Sequence, residues 1–521
     1  MKRIIAVAAA LALGLALSAQ TRWLDPLQNG GGVQGQGWPE LNQTYFRLPD
    51  RAEEVVPGSV WGLSRQSAGL NLVFMTDAKT LTVKFKVKGG LAMYHMPSTG
   101  VSGIDLYAVD RDGNKRWCSP RFTATLSKEG CEYVYDNITM FPESGCQYEY
   151  HMYLGLYNGV ESLEIGVPED AQISFCPSSI EKPLVVYGTS IAQGACASRP
   201  GNCWTGILDR ELDHPVVNLG FSGSGRLEPE VVGMIGEIDA AMFIIDCLPN
   251  LADPQYNVTD LVYNAVAQLR ESHDCPILLV EHSGYMGEDA NLQLSRHRPA
   301  NSQQRKAYND LLADGFKDIY YLTHEEIGLG MDGMVEGVHP NDLGMRRQAD
   351  AVEKKVKEIL RENTVAYQPC IQNRDMTAPS WTRHQQALKD VAAANPRTVV
   401  LGDSAAEISL KKGSVDLRNT EDRMGNVLWR IFHGELDGYA AENVVLALGP
   451  SSLAPGDPVE KIAAGLNEIV EAIAFHQPKA AIYVVPETSD NLLNEVLGVY
   501  LHTDKATLLD SVKTLEKTLK K

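Results

Sequence analysis

The chain has 521 residues, of which 44% are apolar and 22% charged, and its formal net charge is −19. This length predicts two to four domains of about 150 residues each, and the composition argues against wholesale disorder. The acidic balance argues against a nucleic-acid or anionic-membrane partner, because both need a basic protein face.

Residues 1–19 have the pattern of a signal peptide. Lys2 and Arg3 precede an apolar stretch that runs through Leu17, and two small residues follow it. The stretch is shorter than the ~20 residues that a membrane span needs, and no later segment resembles a span. We therefore expect cleavage near Ala19 and export to the periplasm or the medium.

Residues 20–180 are typical of β-structure. In "LTVKFKVKG", apolar residues alternate with polar ones from Leu81 to Val87, as in a strand with one buried face. Further short apolar runs are separated by Gly, Pro and Asn, without a convincing long helix. This pattern predicts a sandwich of the jelly-roll type.

Residues 181–365 alternate between strands and helices. "PLVVYG", "PVVNLG", "AAMFIID" and "CPILLVEH" read as buried strands, and amphipathic helices lie between them. This order predicts a parallel sheet with helices on both faces, whose chemistry sits at the carboxyl ends of the strands.

A second α/β unit follows. Residues 366–395 are predicted to be a linker with one helix, "WTRHQQALKDVAAANP". In the region 396–521, "RTVVLGDSAAEI" has the same strand, glycine and serine order as "PLVVYGTSIAQG", which predicts a shorter copy of the preceding domain.

Four of the predicted strand ends carry the residue types of a serine hydrolase. Ser190 could act as nucleophile and His339 as its base, with a carboxylate at Glu336 to orient the imidazole. The backbone amides of Ser190 and Gly223 and the side-chain amide of Asn250 could stabilise an oxyanion. The alternative for each is a structural role: a turn serine, a surface histidine at a helix start, or a turn asparagine.

These blocks resemble those of the SGNH (GDSL-like) hydrolases. "YGTS", "NLGFSGSGRLEPEV", "DCLPN" and "EGVHPNDLG" match the family's nucleophile, oxyanion and histidine blocks, and "HMPSTGVSGIDLY" resembles the GxDLY domain that precedes such esterases. The resemblance covers 20–365. It implies a flavodoxin-like α/β/α hydrolase that removes acyl groups, commonly acetyl, from carbohydrates.

The histidine block departs from the family pattern. The family has D-x-x-H, whereas this chain has "EGVH", so Glu336 stands where an aspartate is expected. The extra methylene changes the reach of the carboxylate. Asp332 or a backbone carbonyl could orient His339 instead.

The C-terminal domain resembles the platelet-activating-factor acetylhydrolase type of the same superfamily, in degenerate form. "LGDS" supplies Ser404, but "GPSS" replaces the asparagine block, and Val499 rather than an aspartate stands three residues before His502. We therefore expect a non-catalytic or weakly catalytic domain.

Further residues could contact the substrate. Arg199 and Trp204 flank the nucleophile loop, and Glu281 and His282 follow a predicted strand; packing roles are the alternative. The chain has no CxxC, no HExxH and no ligand-spaced His/Cys cluster, so neither a metal nor a cofactor is predicted. Among nine cysteines, Cys196 and Cys203 flank one loop and form the first candidate disulfide.

The sequence thus predicts an exported serine esterase that acts on an acetylated poly- or oligosaccharide through an acyl-enzyme on Ser190. Two alternatives remain open: a hydrolase of lipid or other acyl esters, and a carbohydrate-binding protein with vestigial hydrolase domains. The sequence does not define the oligomeric state.

Overall fold

A computed structural model describes residues 21–519, except 42, 111–112, 121–123, 139–147, 180, 213, 288–294, 361–379, 454–458, 488–500 and 502–504. The predicted signal peptide lies outside the described residues, as do Cys146, Cys370, Val499 and His502. Within the described ranges, no helix is both long enough and apolar enough to cross a membrane.

The N-terminal domain is a sandwich of two antiparallel sheets. One sheet contains β1 (Thr21–Leu24), β4 (Thr80–Val87), β7 (Thr125–Leu126), β8 (Cys131–Asp136) and β10 (Val160–Pro168), in the order β1-β10-β4-β8-β7. The other contains β2 (Val33–Gln34), β3 (Asn71–Thr76), β5 (Asp105–Val109), β6 (Lys115–Cys118), β9 (Tyr148–Tyr153) and β11 (Ile173–Phe175). Its order is β11-β3-β9-β5-β6, with β2 paired to β3. The described part of this domain also contains the short helices α1 (Gly58–Ser64) and α2 (Ser98–Val101).

In β4, apolar and polar side chains alternate, and they face opposite sides of the strand as predicted. Leu81, Val83 and Phe85 are buried in the core between the two sheets, whereas Lys84 and Lys86 are exposed. A period of two places every second side chain on the same face, so one face of the strand packs and the other is solvated.

The central domain is a five-stranded parallel sheet between two helical layers. Its strands are β12 (Leu184–Gly188), β13 (Val216–Gly220), β14 (Met242–Asp246), β15 (Ile277–Val280) and β16 (Ile319–Leu322), in the order β13-β12-β14-β15-β16. Its helices are α3 (Ser190–Gln193), α4 (Trp204–Glu211), α5 (Pro229–Ile235), α6 (Val258–Arg270), α7 (His297–Ala313), α8 (His324–Ile327) and α9 (Asp342–Leu360). This is the flavodoxin-like strand order, in which ligands bind beyond the carboxyl ends of the strands.

Each face of the central sheet has its own apolar core. In β12, Val185 and Tyr187 face one core, with α5, α6 and α7, whereas Leu184 and Val186 face the other, with α3, α4 and α9. Both cores also contain residues from the N-terminal region, among them Trp38 in the first core and Met96 in the second. The sandwich is therefore packed against the central domain rather than tethered to it.

The C-terminal domain repeats this topology on a smaller scale. Its strands are β17 (Thr398–Gly402), β18 (Ser414–Asp416), β19 (Asn443–Leu448), β20 (Ala481–Pro486) and β21 (Ala506–Leu508), all parallel, in the order β18-β17-β19-β20-β21. Its helices are α10 (Ser380–Ala394), α11 (Met424–Arg430), α12 (Val459–His476) and α13 (Val512–Thr518).

Helix α10 belongs to this third domain and not to a linker, which corrects the predicted boundary at residue 396. Ala387 and Val391 are buried in the core of the C-terminal domain. His384 on the same helix is buried and bonded to Glu435 through Nδ1 at 2.9 Å. A charged or amphipathic helix in the sequence does not by itself reveal which domain it packs against.

Candidate active site

Ser190 lies at the carboxyl end of β12, the second strand in the order of the central sheet. Strand β12 ends at Gly188, and Thr189 caps the short helix α3 by accepting a hydrogen bond from the Ile191 amide at 3.3 Å. Gly188 is confined between Ala192 and Asp246, and a side chain on Gly225 would collide with the Gly188 carbonyl. These close contacts between backbones present Ser190 at the sheet edge.

The structure brings Ser190, His339 and Glu336 into one hydrogen-bonded chain. The Ser190 Oγ lies 3.0 Å from His339 Nε2, and His339 Nδ1 contacts Glu336 Oε1. Because the carboxylate occupies Nδ1, the imidazole presents Nε2 to the serine hydroxyl.

Glu336 makes this contact despite its extra methylene because its carboxylate folds back onto its own loop. It accepts hydrogen bonds from the amides of Val338 at 3.1 Å and His339 at 3.0 Å. Asp332, the alternative from the sequence, is exposed, and its backbone carbonyl accepts a hydrogen bond from Asn341 at 2.8 Å.

The glycine-rich loop after β13 faces the nucleophile. Gly223 has a φ of +69°, a backbone conformation that favours glycine. Over the described part of the chain, neither the Ser190 amide nor the Gly223 amide has a protein acceptor. Asn250 donates from Nδ2 to the Gly225 carbonyl at 3.2 Å, so its side chain ties the loop after β14 to the glycine loop.

Two residues that the sequence analysis did not identify hold the glycine loop. Gln193 on α3 accepts a hydrogen bond from the Ser222 amide at 3.0 Å. Arg47, which is 1% exposed, donates to the Gly220 carbonyl at 2.6 Å, and its guanidinium lies over the Phe221 ring. Burial lowers the pKa of Arg47 to about 9. No sequence motif marks either residue, because both act through backbone groups.

A third unpredicted residue is His95, which comes from the sandwich. Its ring lies edge to face with the His339 ring, with centroids 5.3 Å apart, and it stacks on Tyr94 at 4.1 Å. Burial is the main cause that lowers the pKa of His95, and the neighbouring His339 lowers it further. "HMPSTG" was assigned to the GxDLY pattern, but nothing in it indicated that this loop reaches the active site.

Arg199 binds protein groups instead of lining an open pocket. Its guanidinium contacts Asp105 and the Tyr107 hydroxyl, both in the "GIDLY" segment, and lies over the Trp117 ring. Asp105 also accepts from the Gly201 amide at 3.0 Å. Arg199 therefore joins the sandwich to the central domain, and its contact with a substrate stays a prediction.

Trp204 and His282 are also structural. Both are 0% exposed; Trp204 packs in a core of the central domain, and His282 accepts from the Gly284 amide through Nδ1 at 3.0 Å. Burial lowers the pKa of His282 to about 3. Because both side chains are fully buried, neither can touch a substrate. The sequence could not predict this, because residue type and spacing do not reveal on which side of an element a side chain is buried.

Glu281 lines a separate cleft of 660 Å³, at the carboxyl ends of β15 and β16. Its carboxylate accepts from Arg305 at 2.6 Å, from Tyr321 at 2.9 Å, and from both the amide and Nδ1 of His324. The cleft adjoins the catalytic loop, since the Met286 amide donates to the Gly337 carbonyl at 3.0 Å.

The second serine, Ser404, is in a different environment. Its hydroxyl donates to Glu487 at 2.7 Å, and the preceding Asp403 accepts from the amides of Gly449, Ser451 and Ser452. Within the described ranges, no histidine contacts Ser404. Among the described residues, the Ser404 hydroxyl therefore has a carboxylate rather than an imidazole as its partner, and the Ser404 amide donates to the Ala447 carbonyl at 3.1 Å.

Cys196 and Cys203 are free thiols in the structure, so the candidate disulfide is not formed. The Cys203 sulfur accepts from the Gly206 amide at 3.3 Å and caps α4. Cys196 is buried beside the active site and has a φ of +71°.

Comparison with known proteins gives matches over most of the chain. Residues 181–357 match the GDSL-like lipase/acylhydrolase family, and residues 21–173 match the GxDLY family, the N-terminus of SGNH-hydrolase-type esterases. A crystal structure assigned to a GDSL-like lipase from Bacteroides ovatus is 30% identical, with a TM-score of 0.59 over 66% of this chain and 98% of the other.

More distant relatives share parts of the chain. The platelet-activating factor acetylhydrolase IB subunit alpha2 of Gallus gallus is 25% identical over 114 residues, which are 20% of this chain and 49% of that protein. The chain thus spans about half the length of this curated relative. A salicylyl-acyltransferase from a tetracycline biosynthetic pathway shares the fold, at 18% identity and a TM-score of 0.53 over 66% of this chain and 98% of the other.

Asp246 is a buried carboxyl group directly beneath the nucleophile strand end. It pairs with Gly188 across the sheet, and its side chain accepts a hydrogen bond from Gln348 at 3.3 Å. Burial raises the pKa of Asp246 to about 8, against a weaker lowering by Gln348. The folded protein therefore keeps this proton at neutral pH, whereas the unfolded chain releases it near pH 4.

We predict that this proton makes the wild type less stable as the pH rises from about 4 to 8, because the unfolded state alone ionises in that window. Asp246→Asn cannot ionise, so its melting temperature relative to the wild type should rise by several degrees between pH 5 and pH 8. Thermal unfolding at both pH values measures this difference. Asp253→Asn, at an exposed carboxylate, is the control and should show no such trend; a pH-independent difference for Asp246→Asn would contradict the assignment.

Proposed function

The chain belongs to the GDSL-like lipase/acylhydrolase family and is a serine ester hydrolase; from this premise we propose that Ser190, His339 and Glu336 form its catalytic triad. The observation that carries the proposal is the 3.0 Å distance between Ser190 Oγ and His339 Nε2. At this distance the imidazole can accept the hydroxyl proton as the oxygen attacks an ester carbonyl.

The reaction proceeds in two acyl-transfer steps. Ser190 attacks the carbonyl carbon while His339 takes its proton, and the imidazolium then protonates the leaving alcohol. Water, deprotonated by the same imidazole, hydrolyses the acyl-enzyme. Glu336 stabilises the imidazolium through Nδ1, where the two side chains are already in contact.

The oxyanion of each tetrahedral intermediate binds to the amides of Ser190 and Gly223 and to Asn250 Nδ2. The proposal is supported by the two amides, which have no acceptor within the described chain. Asn250 Nδ2 donates to the Gly225 carbonyl at 3.2 Å and, in a longer contact of 3.5 Å, to the Phe221 carbonyl, so binding the oxyanion replaces the longer contact. Preorganised donors of this kind stabilise the transition state without reorganising.

The proposed substrate is an O-acetylated carbohydrate, hydrolysed outside the cytoplasm after export. Tyr94 is the observation that supports a carbohydrate as the substrate. This residue is 93% exposed, and its ring stacks on His95, whose ring in turn contacts His339. An exposed aromatic face beside the group that protonates the leaving alcohol is suited to the apolar face of a sugar ring. The C-terminal domain is proposed to be non-catalytic, on the evidence of the Ser404 environment.

We predict that Ser190→Ala loses about a thousandfold or more of the rate of 4-nitrophenyl acetate hydrolysis, because it removes the hydroxyl that attacks the ester carbonyl. Glu336→Gln should lose about a hundredfold or more, since the amide cannot stabilise the imidazolium. Asp332→Asn is the matched control and should stay within about twofold of the wild type. Equal rates for the wild type and Ser190→Ala would support the non-catalytic carbohydrate-binding alternative.

Tyr94 provides the test of the substrate class. Tyr94→Ala should raise KM for an acetylated xylo-oligosaccharide about three- to tenfold, the loss expected for one stacking contact, and leave kcat/KM for ethyl acetate unchanged. Tyr94→Phe keeps the ring and should behave as the wild type. The rate of acetate release from each substrate is measured for the wild type, Tyr94→Ala and Tyr94→Phe.

Two exposed apolar side chains are the observation on the side of the lipid-ester alternative: Met93 beside Tyr94 and Val335 beside Glu336. The same assay separates the alternatives when octanoyl and acetyl esters are compared. A higher kcat/KM for the octanoyl ester, with no effect of Tyr94→Ala on the saccharide, would replace the carbohydrate by a lipid substrate.

A further inference from the structure

Three side chains that can bind a metal meet at the edge of the active site. The donor atoms of His95, Cys196 and His339, two imidazole nitrogens and a thiol sulfur, all lie within 4.8 Å of one another. His95 comes from the sandwich, Cys196 from the loop after α3, and His339 from the loop before α9. The sequence analysis predicted no metal site, because these residues are far apart along the chain.

His95 has an unused donor site in this cluster. Its Nδ1 is buried and has no hydrogen-bond partner in the described part of the molecule. Buried polar atoms are nearly always paired, so an unpaired ring nitrogen beside a thiol and a second imidazole is consistent with a ligand that binds all three.

Cys196 is buried close to His339. Its backbone has a φ of +71°, which is uncommon for a residue with a side chain. Burial, with a smaller effect of the Glu336 charge, raises the pKa of the thiol to about 12. The thiol is therefore protonated at neutral pH and is a poor nucleophile, but a bound metal ion would displace its proton.

We propose that His95, Cys196 and His339 form a zinc site and that zinc bound there inhibits the enzyme. The ligands are His95 Nδ1, Cys196 Sγ and His339 Nε2, with water in the fourth position, a donor set typical of Zn²⁺. With ligand bonds of about 2.0–2.3 Å, donors in such a site lie closer together than 4.8 Å, so side-chain shifts of roughly 1 Å are needed.

The contact between Glu336 and His339 suits this role. A histidine that binds zinc through one ring nitrogen usually donates its other N–H to a carboxylate, and Glu336 holds His339 Nδ1 in this way. Zinc binding breaks the Cys196 S–H bond, releases the proton to water and forms the Zn–S bond. The Nε2 lone pair then binds zinc and cannot accept the Ser190 proton, so hydrolysis stops without any change of oxidation state.

A second donor cluster, formed by Glu281, His324 and Glu325, provides the comparison. Its buried carboxylate, Glu281, is already saturated by donors from Arg305, Tyr321 and His324. Zinc binding there would have to break these bonds. His324→Gln is therefore a matched control, because it removes an imidazole from the competing cluster only.

The experiment has two arms on the full-length protein freed of metal by EDTA. In the first, Co²⁺ replaces zinc as the probe, and a thiolate-to-cobalt charge-transfer band should appear in the wild type and in His324→Gln but not in Cys196→Ser. In the second, Zn²⁺ is titrated into the 4-nitrophenyl acetate assay. Inhibition should follow one site, be reversed by EDTA, and require at least about tenfold more zinc in Cys196→Ser and His95→Gln.

The zinc-free rate of Cys196→Ser should lie within about twofold of the wild type, and the zinc sensitivity of His95→Gln is measured relative to its own zinc-free rate, because His95 lies against His339. No thiolate band in the wild type, or equal zinc sensitivity of Cys196→Ser and the wild type, would overturn the proposal. Inhibition, but not metal binding, depends on the proposed catalytic function: a cobalt band in a protein that hydrolyses no ester would refute the catalytic function and leave the site standing.

Discussion

The hydrogen bond between Ser190 and His339 is the constraint on which the rest of the structure depends, because its two ends are separated by 149 residues of sequence. In a parallel sheet the carboxyl ends of all strands lie at one edge. Ser190 follows β12, the second strand in the order of the central sheet, and therefore lies between the glycine loop after β13 and Asn250 after β14. Helices cover both faces of the sheet, so a ligand can approach its reactive side chains only at this edge.

The sandwich takes part in the active site rather than serving as an independent module. It binds the central domain through Asp105 and Arg199, shares an apolar core with it, and brings His95 and Tyr94 close to His339. Arg47, from the same N-terminal region, holds the strand end that precedes the glycine loop. A hydrolase domain without this region would lack one side of its site. The C-terminal domain has the same strand order, but its Ser404 is bonded to a carboxylate, so the same fold surrounds the two serines with different partners.

The architecture could be predicted from the sequence, and so could the proximity of Ser190 and His339, because strand periodicity and parallel topology determine which strand ends meet. The sequence left open whether Glu336, Asp332 or a backbone carbonyl contacts His339; in the structure it is Glu336. The sequence could not show that Glu336 folds back onto its own loop, nor that Trp204 and His282 are buried, because these depend on side-chain orientation. His95 was missed because it reaches the site from another domain. Helix α10 was assigned to a linker because amphipathic spacing reveals a buried face but not the domain that covers it.

The most direct test of the account is covalent labelling of the full-length protein with a fluorophosphonate, followed by peptide mass spectrometry. The account requires a proton-accepting imidazole beside the reactive serine, which Ser190 has and Ser404 has not among the described residues. It therefore predicts one adduct, on the peptide that contains Ser190, and none on the peptide that contains Ser404. An adduct on Ser404, or an unlabelled Ser190 in protein that hydrolyses esters, would contradict it.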